Sequence, residues 1–130
     1  MRIDDKPREE CAVFGVSTRT GGAAALTMNG LLTLQHRGQE GAGIAVAQDG
    51  GILCHKDAGL VGEVFTPAAM EALAHAKTAV GHTRYSTTGA STRENAGPFV
   101  SEYLTGRLAA AHNGNVTNAA ALRDELQAEG

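Results

Sequence analysis

Four short segments hold the residues whose types and spacing suggest chemistry. The first is Cys11, which follows Glu9-Glu10 at the junction between a polar stretch and the first apolar one. A cysteine in that place serves either as a small core residue or as a nucleophile. Cleavage of the Glu10–Cys11 bond would turn its nitrogen into an α-amino group, with an ordinary pKa of about 7.7–8.0. One residue would then supply both nucleophile and base. The second segment is GHTRYSTTG (81–89). Arg84, at a strand end among small polar residues, can clamp a carboxylate bidentately, with hydroxyls from Ser86 and Thr87 beside it. An ion pair with an acid such as Glu94 is the ordinary alternative. The third is AHNGN (111–115), where the Asn113 amide and the Gly114 N–H can face one way as an oxyanion hole, or simply form a turn. The fourth is LQHRGQEGAG (34–43), a basic pair followed by Gly38, Gly41 and Gly43. The spacing matches neither GxGxxG nor a P-loop, so nucleotide binding is not indicated. Tight backbone approach is, with Arg37 either near a site or paired at the surface.

Cys54 is adjacent to His55 in ILCHK, and on a strand the two side chains point to opposite faces, which excludes a dyad there. Two cysteines and five scattered histidines (36, 55, 75, 82, 112) show no zinc-ligand spacing and no disulfide framework.

These segments need elements to position them. CAVFGVST (11–18) reads as a buried strand, and residues 23–36 as a helix carrying Met28, Leu31 and Leu34, with Gly38 as its terminator. GIAVAQ (43–48) and ILCHK (52–56) form a hairpin across Asp49-Gly50-Gly51. Pro67 opens a helix over 67–76, and TAVGHTRYST (78–87) reads as a strand. FVSEYL (99–104) and RLAAAH (107–112) make a second hairpin, and residues 118–129 a final helix with Asn118 as N-cap. Hairpins require antiparallel pairing, so the fold class is α+β and not a doubly wound parallel sheet.

The 130 residues fit one domain, with 42% apolar and 19% charged residues and a net charge of −3. That charge argues against nucleic-acid binding. No apolar run is long enough to span a bilayer, and residues 1–10 lack the apolar stretch of a secretory signal. The expectation is a cytoplasmic, thiol-reduced protein with residues 1–10 as an exposed leader.

In order, EECAVFGV, LQHRGQEGAGIAV, GHTRYSTTGAS with NAGPF, and LAAAHNGNVTNAAALRDEL resemble the class II glutamine amidotransferases. The resemblance implies an N-terminal-nucleophile hydrolase, a four-layer αββα sandwich of antiparallel sheets, incomplete in this stretch. It implies Cys11 as nucleophile after leader removal, Arg84 and Thr87 as glutamine-binding residues, Asn113 and Gly114 as the oxyanion hole, and Arg37 as a supporting residue. LQHRGQE is most similar to the branch that feeds ammonia to phosphoribosyl pyrophosphate in purine synthesis. Glutamate synthase, another member, and a catalytically idle domain are the rival readings.

For that branch the resemblance implies a phosphoribosyltransferase domain beyond residue 130, magnesium, an iron–sulfur cluster in leader-bearing members, and homo-oligomers. No cofactor is expected within this stretch, and neither a nucleic-acid nor a membrane partner. An acidic residue that holds the substrate amino group would also lie past Gly130. The expectation is an N-terminal fragment, marginally folded and weakly active by itself. Gly97 stands where many relatives have Gln, which would alter a loop near the site.

Overall fold

The computed structural model describes residues 11–85, 92–114 and 116–130. The leader, Ser86 and Thr87 lie outside the described residues.

Four strands form one antiparallel sheet in the order β1-β4-β2-β3: β1 (Ala12–Ser17), β2 (Gly41–Gln48), β3 (Gly51–Ala58) and β4 (Thr78–Arg84). A second sheet pairs β5 (Phe99–Tyr103) with β6 (Gly106–Ala110). The helices are α1 (Ala23–Thr33), α2 (Val61–Val64), α3 (Pro67–Ala72) and α4 (Ala119–Glu129), with 3-10 turns at Gln35–Arg37 and Arg93–Asn95. The α+β expectation holds, and both hairpins form where their turn residues sit. Asp49 and Gly50 take φ of 52° and 75°, the two positive values that a tight hairpin turn requires.

The core lies between the four-stranded sheet and α1, α2 and α3. Ala42, Ile44 and Val46 point into it from β2, and Ala23, Ala24 and Leu31 from α1. The helix buries small residues because it lies close to the sheet. A β-carbon on Gly81 would come within 2.6 Å of Thr27 Cγ2 and 2.9 Å of Leu31 Cδ1. β2 is buried on both faces from Gly41 to Val46. Its second face meets the Ala96–Pro98 loop, where a β-carbon on Gly43 would collide with the Gly97 carbonyl oxygen. Lys56 holds the same loop by donating to the carbonyls of Ala96 (2.8 Å) and Pro98 (3.2 Å), with its ammonium over the Phe99 ring.

Several local expectations need correction. Among the described residues β1 pairs only with β4, and one of its faces is covered: Ala12, Phe14 and Val16 are buried or half-buried, while Val13, Gly15 and Ser17 are exposed. α1 stops at Thr33, and a 3-10 turn replaces its last predicted turn. Gly38 is extended (φ −160°) and does not act as a left-handed helix terminator. α3 ends at Ala72, although Leu73 and Ala76 beyond it remain buried. Thr66, not foreseen, caps α3 by accepting from the Ala69 N–H at 3.3 Å. α2 was also not foreseen, because four residues are too few for helical periodicity to show. Asn118 sits at the N-cap of α4, but its side chain makes no capping bond.

The Gly43 contact is against backbone, which cannot swing aside as a side chain would. Gly43→Ala is expected to cost about 1–3 kcal/mol, read as a lowered midpoint in urea unfolding. An unchanged midpoint would show that the Ala96–Pro98 loop is not clamped to β2.

Candidate active site

Cys11 stands one residue before β1, and its φ is 66°, a value that a non-glycine residue adopts only when its surroundings hold it there. Two neighbours do so. The Cys11 N–H donates to the Arg37 carbonyl at 3.0 Å, and Arg37 Nε donates back to the Cys11 carbonyl at 2.9 Å. The sulfur lies against the peptide groups at the end of β4. Tyr85 N–H donates to Sγ at 3.4 Å, and the Tyr85 carbonyl oxygen is 3.5 Å from Sγ. One residue therefore offers an acceptor to the thiol and a donor to the thiolate.

The register of β4 against β1 sets this geometry. Ala12 faces Thr83, so the chain continuing back to Cys11 arrives beside Arg84 and Tyr85. Arg84 closes β4, opposite Gly41 of β2, and its carbonyl accepts from Glu40 N–H at 3.1 Å. The Arg37 turn reaches this strand end through Gly38. A β-carbon on Gly38 would lie 2.7–2.9 Å from backbone atoms of Thr83 and Arg84, so a larger residue would push the turn off β4. The close approach read from the glycine-rich segment is thus an approach to β4.

Asn113 and Gly114 follow β6 and are exposed. They are tied to β4 through their neighbour His112, whose backbone hydrogen-bonds the His82 ring. His82 is 5% exposed and packs on Gly97, and its Nδ1 has no hydrogen-bond partner among the described residues. Burial lowers its pKa below the ordinary 6.5, the hydrogen bond to His112 opposes that, and the positive charges of Arg84, His112 and Lys56 reinforce it. Sequence reasoning missed His82. Its signal was its position two residues before Arg84, which puts both on one face of β4.

Cys54 and His55 do diverge. His55 Nε2 bonds the Val64 carbonyl at 2.8 Å, whereas Cys54 Sγ faces the Pro98 carbonyl at 4.0 Å. Burial pushes the Cys54 thiol up, against the pull of Lys56 and Arg93. That suits packing and not nucleophilic attack.

A family model for class II glutamine amidotransferases matches residues 11–128. The chain belongs to the class II glutamine amidotransferases. The match to this amidotransferase family begins at Cys11 and takes in every described residue of the constellation above. Amidophosphoribosyltransferase of Synechocystis is 50% identical over 126 residues, which are 97% of this chain and 25% of that protein. The Mycobacterium tuberculosis protein of the same name is 51% identical over 91% of this chain and 22% of its own length. The glutamine phosphoribosylpyrophosphate amidotransferase of B. subtilis, solved with ADP and GMP, superposes with a TM-score of 0.74 at 40% identity. It is matched over 91% of this chain and 25% of its own. A structure described as the allosteric regulatory enzyme of purine biosynthesis gives 0.78 at 41%, over the same two shares. The chain thus spans about a quarter of the length of these relatives.

Among the described residues no three His, Cys, Asp or Glu side chains converge on a metal position. The two cysteines of the chain are both free thiols, short of the four that a cluster needs. Among the described residues no helix is long and apolar enough to cross a membrane.

The His82 environment gives a prediction with a definite sign. Its lowered pKa means that the unfolded chain takes up more protons than the fold as pH falls below about 6.5. Stability is fully present above that pH and is lost as pH falls toward the lowered folded value. Urea unfolding at about pH 7.5 and about pH 5 should show a larger acid loss for the parent than for His82→Gln. Equal losses would assign the acid sensitivity elsewhere.

Proposed function

We propose that this stretch carries the glutaminase half-reaction of an amidophosphoribosyltransferase. One observation carries the reading: the Cys11 sulfur sits on the Tyr85 peptide while its nitrogen is held by the Arg37 carbonyl. After removal of residues 1–10, the Cys11 α-amino group takes the thiol proton. The Arg37 carbonyl keeps one of its N–H groups in place, and the Tyr85 N–H faces the thiolate.

The thiolate attacks the side-chain amide carbon of glutamine, whose α-carboxylate Arg84 holds with Thr87 beside it. The Asn113 amide and the Gly114 N–H stabilise the oxyanion. The α-ammonium returns its proton to the leaving nitrogen, ammonia departs, and a thioester remains. Water attacks the thioester and releases glutamate and the thiol. Ammonia then passes to phosphoribosyl pyrophosphate, in a part of the protein beyond the quarter matched here, and attacks C1 of the ribose as pyrophosphate leaves, giving 5-phosphoribosylamine once the attacking nitrogen loses a proton. The relatives' name supports that acceptor.

In the complete gene product, Cys11→Ala should abolish glutamine hydrolysis. Asn113→Ala should lower kcat by about 10²–10³-fold, the usual cost of one oxyanion donor. Intact mass of the active protein should show loss of residues 1–10. Active protein that retains Met1 would overturn the amine-base mechanism, and hydrolysis surviving Cys11→Ala would overturn the reading itself.

A further inference from the structure

Arg37 holds Cys11, and the turn carrying Arg37 must itself be held. Its internal bonds are few: Arg37 N–H to the Leu34 carbonyl at 2.9 Å, and Gly38 N–H to the Gln35 carbonyl at 3.2 Å. The Gln35 side chain adds two more. Its Oε1 accepts from the Val61 N–H at 2.8 Å, and its Nε2 donates to the Gly38 carbonyl at 2.6 Å. Only one orientation of the amide satisfies both, since Val61 offers a donor and Gly38 an acceptor. Val61 is fully buried, so its N–H would be costly to leave unpaired. The amide therefore bolts the turn to the start of α2.

We propose that Gln35 is a positioning residue for glutamine hydrolysis, holding the Arg37 carbonyl on the Cys11 nitrogen through the Val61–Gln35–Gly38 bridge. This rests on the glutaminase reading. The carbonyl fixes the direction of the amine and, by accepting from it, favours its protonated form. Loosening the turn should therefore slow the chemical step, leave glutamine binding alone, and lower the amine's pKa.

Two variants of the complete gene product test this. Gln35→Met keeps the length of the side chain and removes both bonds. Val61→Pro removes the N–H from the other side, at the first position of α2, where proline is tolerated. The preceding Leu60 already has φ −75° and ψ 154°, which proline requires of its neighbour. Each variant should lower kcat by about tenfold or more, the scale expected for a misplaced catalytic group. KM for glutamine should stay within about threefold, and the acidic limb of the pH profile should move to lower pH. A folded Gln35→Met variant with the parent kcat, or a loss confined to KM, would overturn the proposal. Should Gln35→Met fail to fold, Val61→Pro decides by the same criteria. Hydrolysis that survives Cys11→Ala would instead mean that the underlying reading fails.

Discussion

The antiparallel register of β4 is the constraint on which the site depends. β4 lies between β1 and β2, and each pairing delivers something to its far end. Pairing with β1 sets Ala12 opposite Thr83, which brings the Cys11 sulfur to the Tyr85 peptide. Pairing with β2 sets Gly41 opposite Arg84 and lets Glu40 reach the Arg84 carbonyl. A slip of one residue in either ladder would turn every side chain of the slipped strand to the other face. The two buried faces of β2 are not interchangeable, since Ala42, Ile44 and Val46 fill the core while Gly41 and Gly43 admit the Ala96–Pro98 loop, so the packing forbids that slip and specifies the site.

Small residues make the arrangement physically possible. Gly81 admits α1 to the sheet, Gly43 admits the Ala96–Pro98 loop, and Gly38 admits the Arg37 turn to the end of β4. Each brings backbone against backbone or side chain at a separation that a β-carbon would forbid. Polar groups then hold what the glycines bring close: Lys56 on the carbonyls of Ala96 and Pro98, Gln35 between Val61 and Gly38. The exposed ion pair of Arg107 with Glu102, although 2.6 Å long, belongs to a different class. Both side chains are solvated, and pairs of that kind contribute about 0–1 kcal/mol.

The two cysteines show how environment divides identical chemistry. Cys54 lies among buried groups beside a carbonyl, which disfavours its thiolate. Cys11 has a peptide N–H directed at its sulfur and a constrained backbone. His82 shows burial acting in the opposite direction on a base, since a buried imidazole is held neutral. The bond to the backbone of His112, next to the Asn113-Gly114 turn, works against that shift without reversing it.

The sequence by itself determined the main strands and longer helices, the two hairpins and the family. Those signals are local: alternation, turn residues and short motifs are written in consecutive positions. It also marked Cys11, Arg37, Arg84 and Asn113 by their types. What only the tertiary structure decided is which groups meet. The Tyr85 peptide, the Gln35 bridge and the buried His82 join segments 26 to 74 positions apart or lie under a loop from elsewhere in the chain. No periodicity records such contacts, because they follow from strand order. The end of α1 at Thr33 and the extended Gly38 have the same origin. The chain leaves the helix so that buried Gly38 can lie against the backbone of Thr83 and Arg84, and tertiary contact of that kind overrides helix propensity, whose differences among ordinary residues are only about a few tenths of a kcal/mol.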